Sequence, residues 1–317
     1  MPAFSGGKAA DCNGGSYCCG RAVGNNRLFY VAAIGRVTSQ IYRNMKVPIL
    51  TYHSSNIDGN DYVTNNHVAL AEDLHTIARL GLRIVPVARV VDVLLGEAPP
   101  SSVENAVALT CDDGSYFDWH DMEHPRHGPQ RGFAGILRDH TARTGQPAQM
   151  TSFVIVSPEA RAVLDVTCMA GRDWWRDDWW RDAASEGVIA IENHSWDHNH
   201  ATLPRTVQRE QNKGTFETID SYADADAEIR AAADWLNVHL APNRSTLFAY
   251  PYGEWNDYLV CEYLPHHMHE HRLRAAFTGE PHPVEANTDR WLLPRYVCGP
   301  HWKTPGELEK LLRGMRV

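Results

Sequence analysis

Short apolar runs alternate with stretches of helical periodicity along most of this chain. Residues 47–53 (Val-Pro-Ile-Leu-Thr-Tyr-His) read as a short buried strand ending on a polar residue. Asn66 then caps a helix whose Leu70, Leu74, Ile77 and Leu80 share one face, and Gly81 stops it. The pattern predicts a second strand over 83–87 and a short helix over 90–95. Two prolines and two serines then turn the chain into a strand over 106–111. Further on it predicts a helix over 132–143, a strand over 151–156, a Trp-rich helix over 173–185 and a strand from Val188. A long helix over 224–240, a strand over 247–249, a helix over 255–264 and a strand over 274–278 come next. A closing strand over 291–297 and a last helix from Pro305 end the series. Strands alternating with helices, with no repeat and no linker, imply one domain on a parallel sheet.

Three of these strands run into segments that carry chemistry: Thr110-Cys111-Asp112-Asp113-Gly114, Asn193-His194-Ser195-Trp196-Asp197-His198 and Tyr250-Pro251-Tyr252-Gly253. They supply an acidic pair, a His-x-x-x-His pair and a tight Pro/Gly turn, the parts needed to hold one divalent ion and activate a water. Spacing alone decides little. Seventeen His in 317 residues give about one pair at i, i+4 by chance, and the chain has three: His120/His124, His194/His198 and His267/His271. Only His194 follows a strand-like run, Val188-Ile189-Ala190-Ile191. A doubly wound sheet suits the alternation of elements, but chemistry at the ends of at least four strands favours a barrel with its site at the C-terminal mouth.

In these three segments, in this order, the chain resembles the polysaccharide deacetylases of the NodB-homology type (carbohydrate esterase family four), over roughly residues 47–297. The resemblance implies an α/β fold, a distorted (β/α) barrel of about seven parallel strands. It also implies roles: Asp112 as general base, Asp113, His194 and His198 as metal ligands, and the backbone of Tyr252 as oxyanion donor. One position departs from the family pattern. Many members carry an Arg three residues before the turn Tyr, where this chain has Ala249. Arg295, at the end of another strand, is the candidate replacement. The biofilm poly-N-acetylglucosamine deacetylases look similar in lacking that Arg and in placing a Tyr-His strand end early, as Tyr52-His53 does here. His53 is accordingly the candidate general acid, with His282 and His301 as later alternatives.

The expected activity is metal-dependent removal of N-acetyl groups from an amino sugar of a glycan or glycoconjugate, with zinc as the ion that suits one carboxylate and two imidazoles. Hydrolysis of a small non-sugar amide or cyclic imide on the same fold, or an inactive carbohydrate-binding relative, are the alternatives. A net charge of −9 with pI near 6.0 argues against a nucleic-acid partner. No apolar run is long enough to span a membrane.

Residues 1–44 hold Cys12, Cys18 and Cys19 among Gly and Asn without periodic apolar pattern, and read as a disordered extension before a domain over 45–317. With no convincing signal peptide the chain reads as cytoplasmic. Seven scattered Cys are no disulfide framework and read as buried reduced thiols. Trp174, Trp175, Trp179 and Trp180 suit either a sugar-stacking platform or a helix packed on its barrel, and packing is the preferred reading. Asp118, His120, Asp121, His124 and His127 read as a solvated loop rather than a second metal site or lid, and His266, His267, His269 and His271 as an exposed loop.

Overall fold

The computed structural model describes residues 45–203 and 213–315. The expected extension over 1–44, with its three cysteines, lies outside the described residues. Seven parallel strands form the body: β1 (Ile49–His53), β2 (Ala106–Asp113), β3 (Met150–Val154), β4 (Ile189–Asn193), β5 (Leu247–Ala249), β6 (Ala275–Phe277) and β7 (Tyr296–Val297). They lie side by side in the order β6-β5-β4-β3-β2-β1-β7, so neighbours in sequence are neighbours in space and only β7 returns to the start. The sheet curls into the expected distorted barrel.

Closure rests on a divided last strand. Leu293 bridges to Phe277 of β6, with Leu293 N–H donating to Ala276 O at 2.9 Å and Thr278 N–H to Leu293 O at 2.8 Å. Three residues on, Tyr296 and Val297 pair with Leu50 and Thr51 of β1. Arg295 sits between these two attachments. The single strand expected over 291–297 is therefore a two-part seam.

Side chains alternate across each strand, so one set of β1 and β2 residues faces the barrel interior. In register, Ile49 lies beside Ala108, Thr51 beside Thr110 and His53 beside Asp112. Ile49 and Ala108 join an interior apolar cluster with Phe153, Leu247, Ala275 and Phe277. Thr51 and Thr110 share a hydroxyl hydrogen bond of 2.8 Å in the layer above. The next layer is His53 and Asp112, where apolar filling gives way to chemistry. The intervening Leu50, Tyr52, Leu109 and Cys111 face outward against α1 (Asn66–Arg79), α3 (Phe133–Thr144) and α7 (Pro305–Arg313).

Several local expectations shift. Asn65, not Asn66, caps α1 by accepting from His67 N–H. Pro86 ends the expected strand over 83–87 early, because α2 (Val87–Leu94) starts directly after it and only Arg83–Ile84 pairs with β2. α4 (Pro158–Cys168) was not foreseen, although Ser157 caps it and Pro158 opens it. Only α5 (Trp180–Glu186) of the Trp-rich segment is helical. The long helix from Tyr222 to His239 contains a π turn, Asp226–Arg230, ahead of α6 (Ala231–His239). No helix among the described residues is long and apolar enough to cross a membrane.

Candidate active site

Asp112 and Asp113 end β2 and line the same cleft, but the left-handed backbone at Asp113 (φ 78°) breaks the strand alternation and gives the two carboxylates different partners. Asp112 points into the barrel, 6% exposed, and receives a two-pronged contact from Arg295: Nη1 donates to Oδ1 at 2.7 Å and Nη2 to Oδ2 at 2.9 Å. Arg295 is itself buried, its Nε donating to Thr278 O at 3.1 Å. Burial alone would raise the Asp112 pKa. The Arg295 guanidinium, with His194 and His53, overcomes that and holds it down at about 2. The gap left by Ala249 is thus filled in space from the barrel seam, by a residue 46 positions away in the chain.

Asp113 faces the mouth with His194 and His198. Both Nε2 atoms stand 3.8 Å from Asp113 Oδ1. All three donor atoms lie within 4.8 Å of one another, the only such cluster of metal-binding side chains among the described residues. The spacing fits one ion shared through bonds of about 2.0–2.2 Å. His194 Nδ1 meets Ala249 O at 2.8 Å, which fixes the proton there and leaves Nε2 as the free lone pair. Burial pushes both imidazole pKa values down, keeping the rings in the neutral form that binds metal.

The three turns that aim these groups are conformationally expensive. Of eight non-glycine residues with positive φ among the described residues, five are Asp113, Ser195, His198, Asn199 and Tyr252. Such positions cost roughly 1–3 kcal/mol each and persist where the surroundings over-determine them. The surroundings here are specific. Trp175 Nε1 donates to Asp113 O at 2.9 Å, Ser195 N–H to Asn193 Oδ1 at 2.8 Å and His198 N–H to Ser195 Oγ at 2.8 Å. The π turn supplies two further acceptors: Trp196 N–H donates to Glu228 O at 2.8 Å and Asn193 Nδ2 to Ile229 O at 2.9 Å. Gly114 has no room for a side chain, since a Cβ would come within 2.5 Å of Val154.

Tyr252 packs its ring against His198, centroids 4.4 Å apart. The hydrogen bonds of its turn use the N–H groups of Gly253 and Glu254, to Tyr250 O and Pro251 O. These residues meet in one cleft of about 890 Å³, lined by His53, Asp112, Asp113, His194, His198, Tyr252 and Arg295. Val63, Glu280, His301 and Lys303 also line it. Of these, Val63, Glu280 and Lys303 carried no motif. His282 lies elsewhere, exposed and next to Glu280 and Pro283 O.

A family model described as polysaccharide deacetylase matches residues 101–269, just over half of the chain. The chain belongs to that family. No curated protein matches it. Among solved structures it is similar to the Streptococcus pyogenes deacetylase PplD in complex with acetate, with 17% identity and a TM-score of 0.59 over 85% of this chain and 99% of that one. It is similar to IcaB from Ammonifex degensii, with 15% identity and a TM-score of 0.55 over 86% and 97%. It also resembles the deacetylase domain of BpsB from Bordetella bronchiseptica, with 15% identity and a TM-score of 0.54 over 80% and 96%. At these identities the likeness is one of fold.

The remaining candidates resolve into supporting parts. Trp175, Trp179 and Trp180 are buried, with Trp119 stacked on Trp179, so they pack rather than present a platform. The loop after the acidic pair is not simply solvated. It holds a hairpin, Met122–His124 with Gly128–Gln130, and Asp118 is fully buried under the site, bonded to Ser54 and Ser152 hydroxyls, with burial raising its pKa to about 7. His271 is likewise buried and bonded to Leu264 O, whereas His266 and His269 are exposed as expected, on short helices rather than a loop. Cys111 and Cys298 are buried thiols as expected, whereas Cys168 and Cys261 are exposed.

Proposed function

We propose that this family member is a metal-dependent N-deacetylase acting on an amino sugar of a glycan or glycoconjugate. The observation that carries it is the divergence of Asp112 and Asp113 at one strand end, one into Arg295 and one toward the two Nε2 atoms. When bound by Asp113, His194 and His198, a divalent ion (zinc, by the chemistry of that donor set) acidifies a water and polarises the acyl carbonyl. Asp112, kept ionised by Arg295, takes the proton from the attacking water. The Tyr252 N–H donates to the oxygen that gains charge as the carbonyl becomes tetrahedral, a contact typically worth about 3 kcal/mol.

Cleaving the C–N bond needs a proton on the departing amine. Two cleft histidines compete for that role. His301 Nδ1 accepts the Val297 N–H at 2.7 Å, so a second proton there breaks a backbone bond, and burial lowers its pKa further. That makes His301 a neutral donor through Nε2. His53 lies beside Asp112 in the register of β1 and β2, lines the cleft, and makes no backbone contact through Nδ1. His53 is the acid on this reading.

The test is release of free acetate and an equal amount of new amine from N-acetylglucosamine oligomers by metal-loaded protein. Turnover of small amides or cyclic imides, with oligomers untouched, contradicts the substrate class.

A further inference from the structure

Asp73 interrupts the apolar stripe of α1. It lies among Leu70, Leu74 and Ile77 on the buried face and is fully inaccessible. A carboxylate there is costly unless its oxygens are occupied. Three donors occupy them: Tyr52 Oη to Oδ2 at 2.9 Å, Trp302 Nε1 to Oδ2 at 3.0 Å and Tyr62 Oη to Oδ1 at 2.5 Å. Burial raises its pKa to about 6 while the three donors pull the other way.

Each donor is the chain neighbour of a residue lining the cleft. Tyr52 precedes His53, Tyr62 precedes Val63, and Trp302 stands between His301 and Lys303. The three segments are the end of β1, the loop over 54–65 and the loop after β7. Together they form the cleft wall away from the metal donors, which come from the ends of β2 and β4. Val63 is 62% exposed at this rim.

We propose that Asp73 is a positioning residue for substrate: through Tyr52, Tyr62 and Trp302 it fixes the proton-donating His53 relative to the two rim segments that grip the glycan. This rests on the N-deacetylase reading. Asn could keep all three contacts, since its amide can donate to the Tyr62 hydroxyl while its carbonyl accepts from the other two; Leu offers no acceptor, so all three tethers are released.

The test compares the full chain with its Asp73→Leu variant in metal content, turnover of an N-acetylglucosamine oligomer, turnover of an activated aryl acetate, and hydrogen–deuterium exchange. Metal content and aryl-acetate turnover should hold, because neither needs the rim or a protonated leaving group. Oligomer kcat/KM should fall about 100-fold, the usual consequence of misplacing a catalytic contact by an ångström. Exchange should rise over 54–65 and 299–304 but not over 189–199. Equal losses on both substrates together with lost metal would show a general structural role and overturn the proposal, as would unchanged exchange at both rims. Should Asp73→Leu fail to fold, Tyr62→Phe removes one tether only, and raised exchange confined to 54–65 with a higher oligomer KM is expected; no change in either overturns the proposal. If the wild-type protein deacetylates no oligomer, the functional reading falls, and the exchange data alone still decide whether Asp73 joins the two rims.

Discussion

The two sides of the cleft are held in place by different means. The proposed metal side, Asp113, His194 and His198, is aimed by left-handed turns that other side chains and a π turn brace. The proposed proton-handling side, Asp112, His53 and Arg295, is aimed by strand register and by the seam that closes the barrel. The metal side draws on the ends of β2 and β4 and on the Trp175 and π-turn contacts that brace their turns. Register and closure are global, so the other side exists only when β1, β2 and the last strand are all in place. The two sides should therefore fail separately.

The largest separation is expected from His194→Ala. It should abolish both metal binding and turnover while the barrel stays folded, since His194 stabilises a mouth turn and not the core. Elemental analysis and circular dichroism check this, and metal retained in the variant contradicts the ligand set. On the other side, His53→Ala should lower kcat on an amide by about 10²–10⁴ with metal content unchanged. The loss should be much smaller on an aryl acetate, whose leaving group needs no proton. Equal losses on both substrates assign His53 a structural role, and a selective amide loss in His301→Ala instead moves the acid there.

Arg295→Met should act through both stability and pH. Removing one partner of a buried ion pair leaves Asp112 uncompensated, at a cost of about 3–5 kcal/mol, readable by denaturant unfolding. As the proposed base, Asp112 acts ionised, so activity should be lost as pH falls through its pKa. Arg295 holds that pKa at about 2, so its removal should move the acidic limb of the pH–rate profile upward. An unmoved limb means the guanidinium is a structural tie of the seam. The smallest effect concerns residues 1–44. We propose that neither side draws on them, so a chain starting at Met45 should match the full one in turnover and melt within about 5 °C of it. A larger drop shows that the domain extends upstream.

The same contrast governs what could be read from the sequence. Asp112-Asp113-Gly114 and His194-Ser195-Trp196-Asp197-His198 announce themselves because a turn that aims a ligand is encoded within a few residues of it. Arg295 could be suspected only because Ala249 left a vacancy, and its contact with Asp112 depends on the divided last strand, which no local pattern encodes. Strands inside the barrel were legible as apolar runs. Their ends were not, because Pro86 and Ser157-Pro158 set helix starts that apolar periodicity does not register. Asp118 and Asp73 were hidden for the opposite reason: an acidic residue reads as solvent-facing until the structure supplies the hydroxyls and indole that bury it.

The most direct measurement is metal per chain in Asp112→Asn beside Asp113→Asn, both purified with zinc and assayed for acetate release. Asp112→Asn should keep one equivalent of metal and lose turnover, because it removes a proton acceptor. Asp113→Asn should lose the metal and the turnover together. Metal lost from both variants, or kept by both, would contradict a cleft whose two sides are built and broken independently.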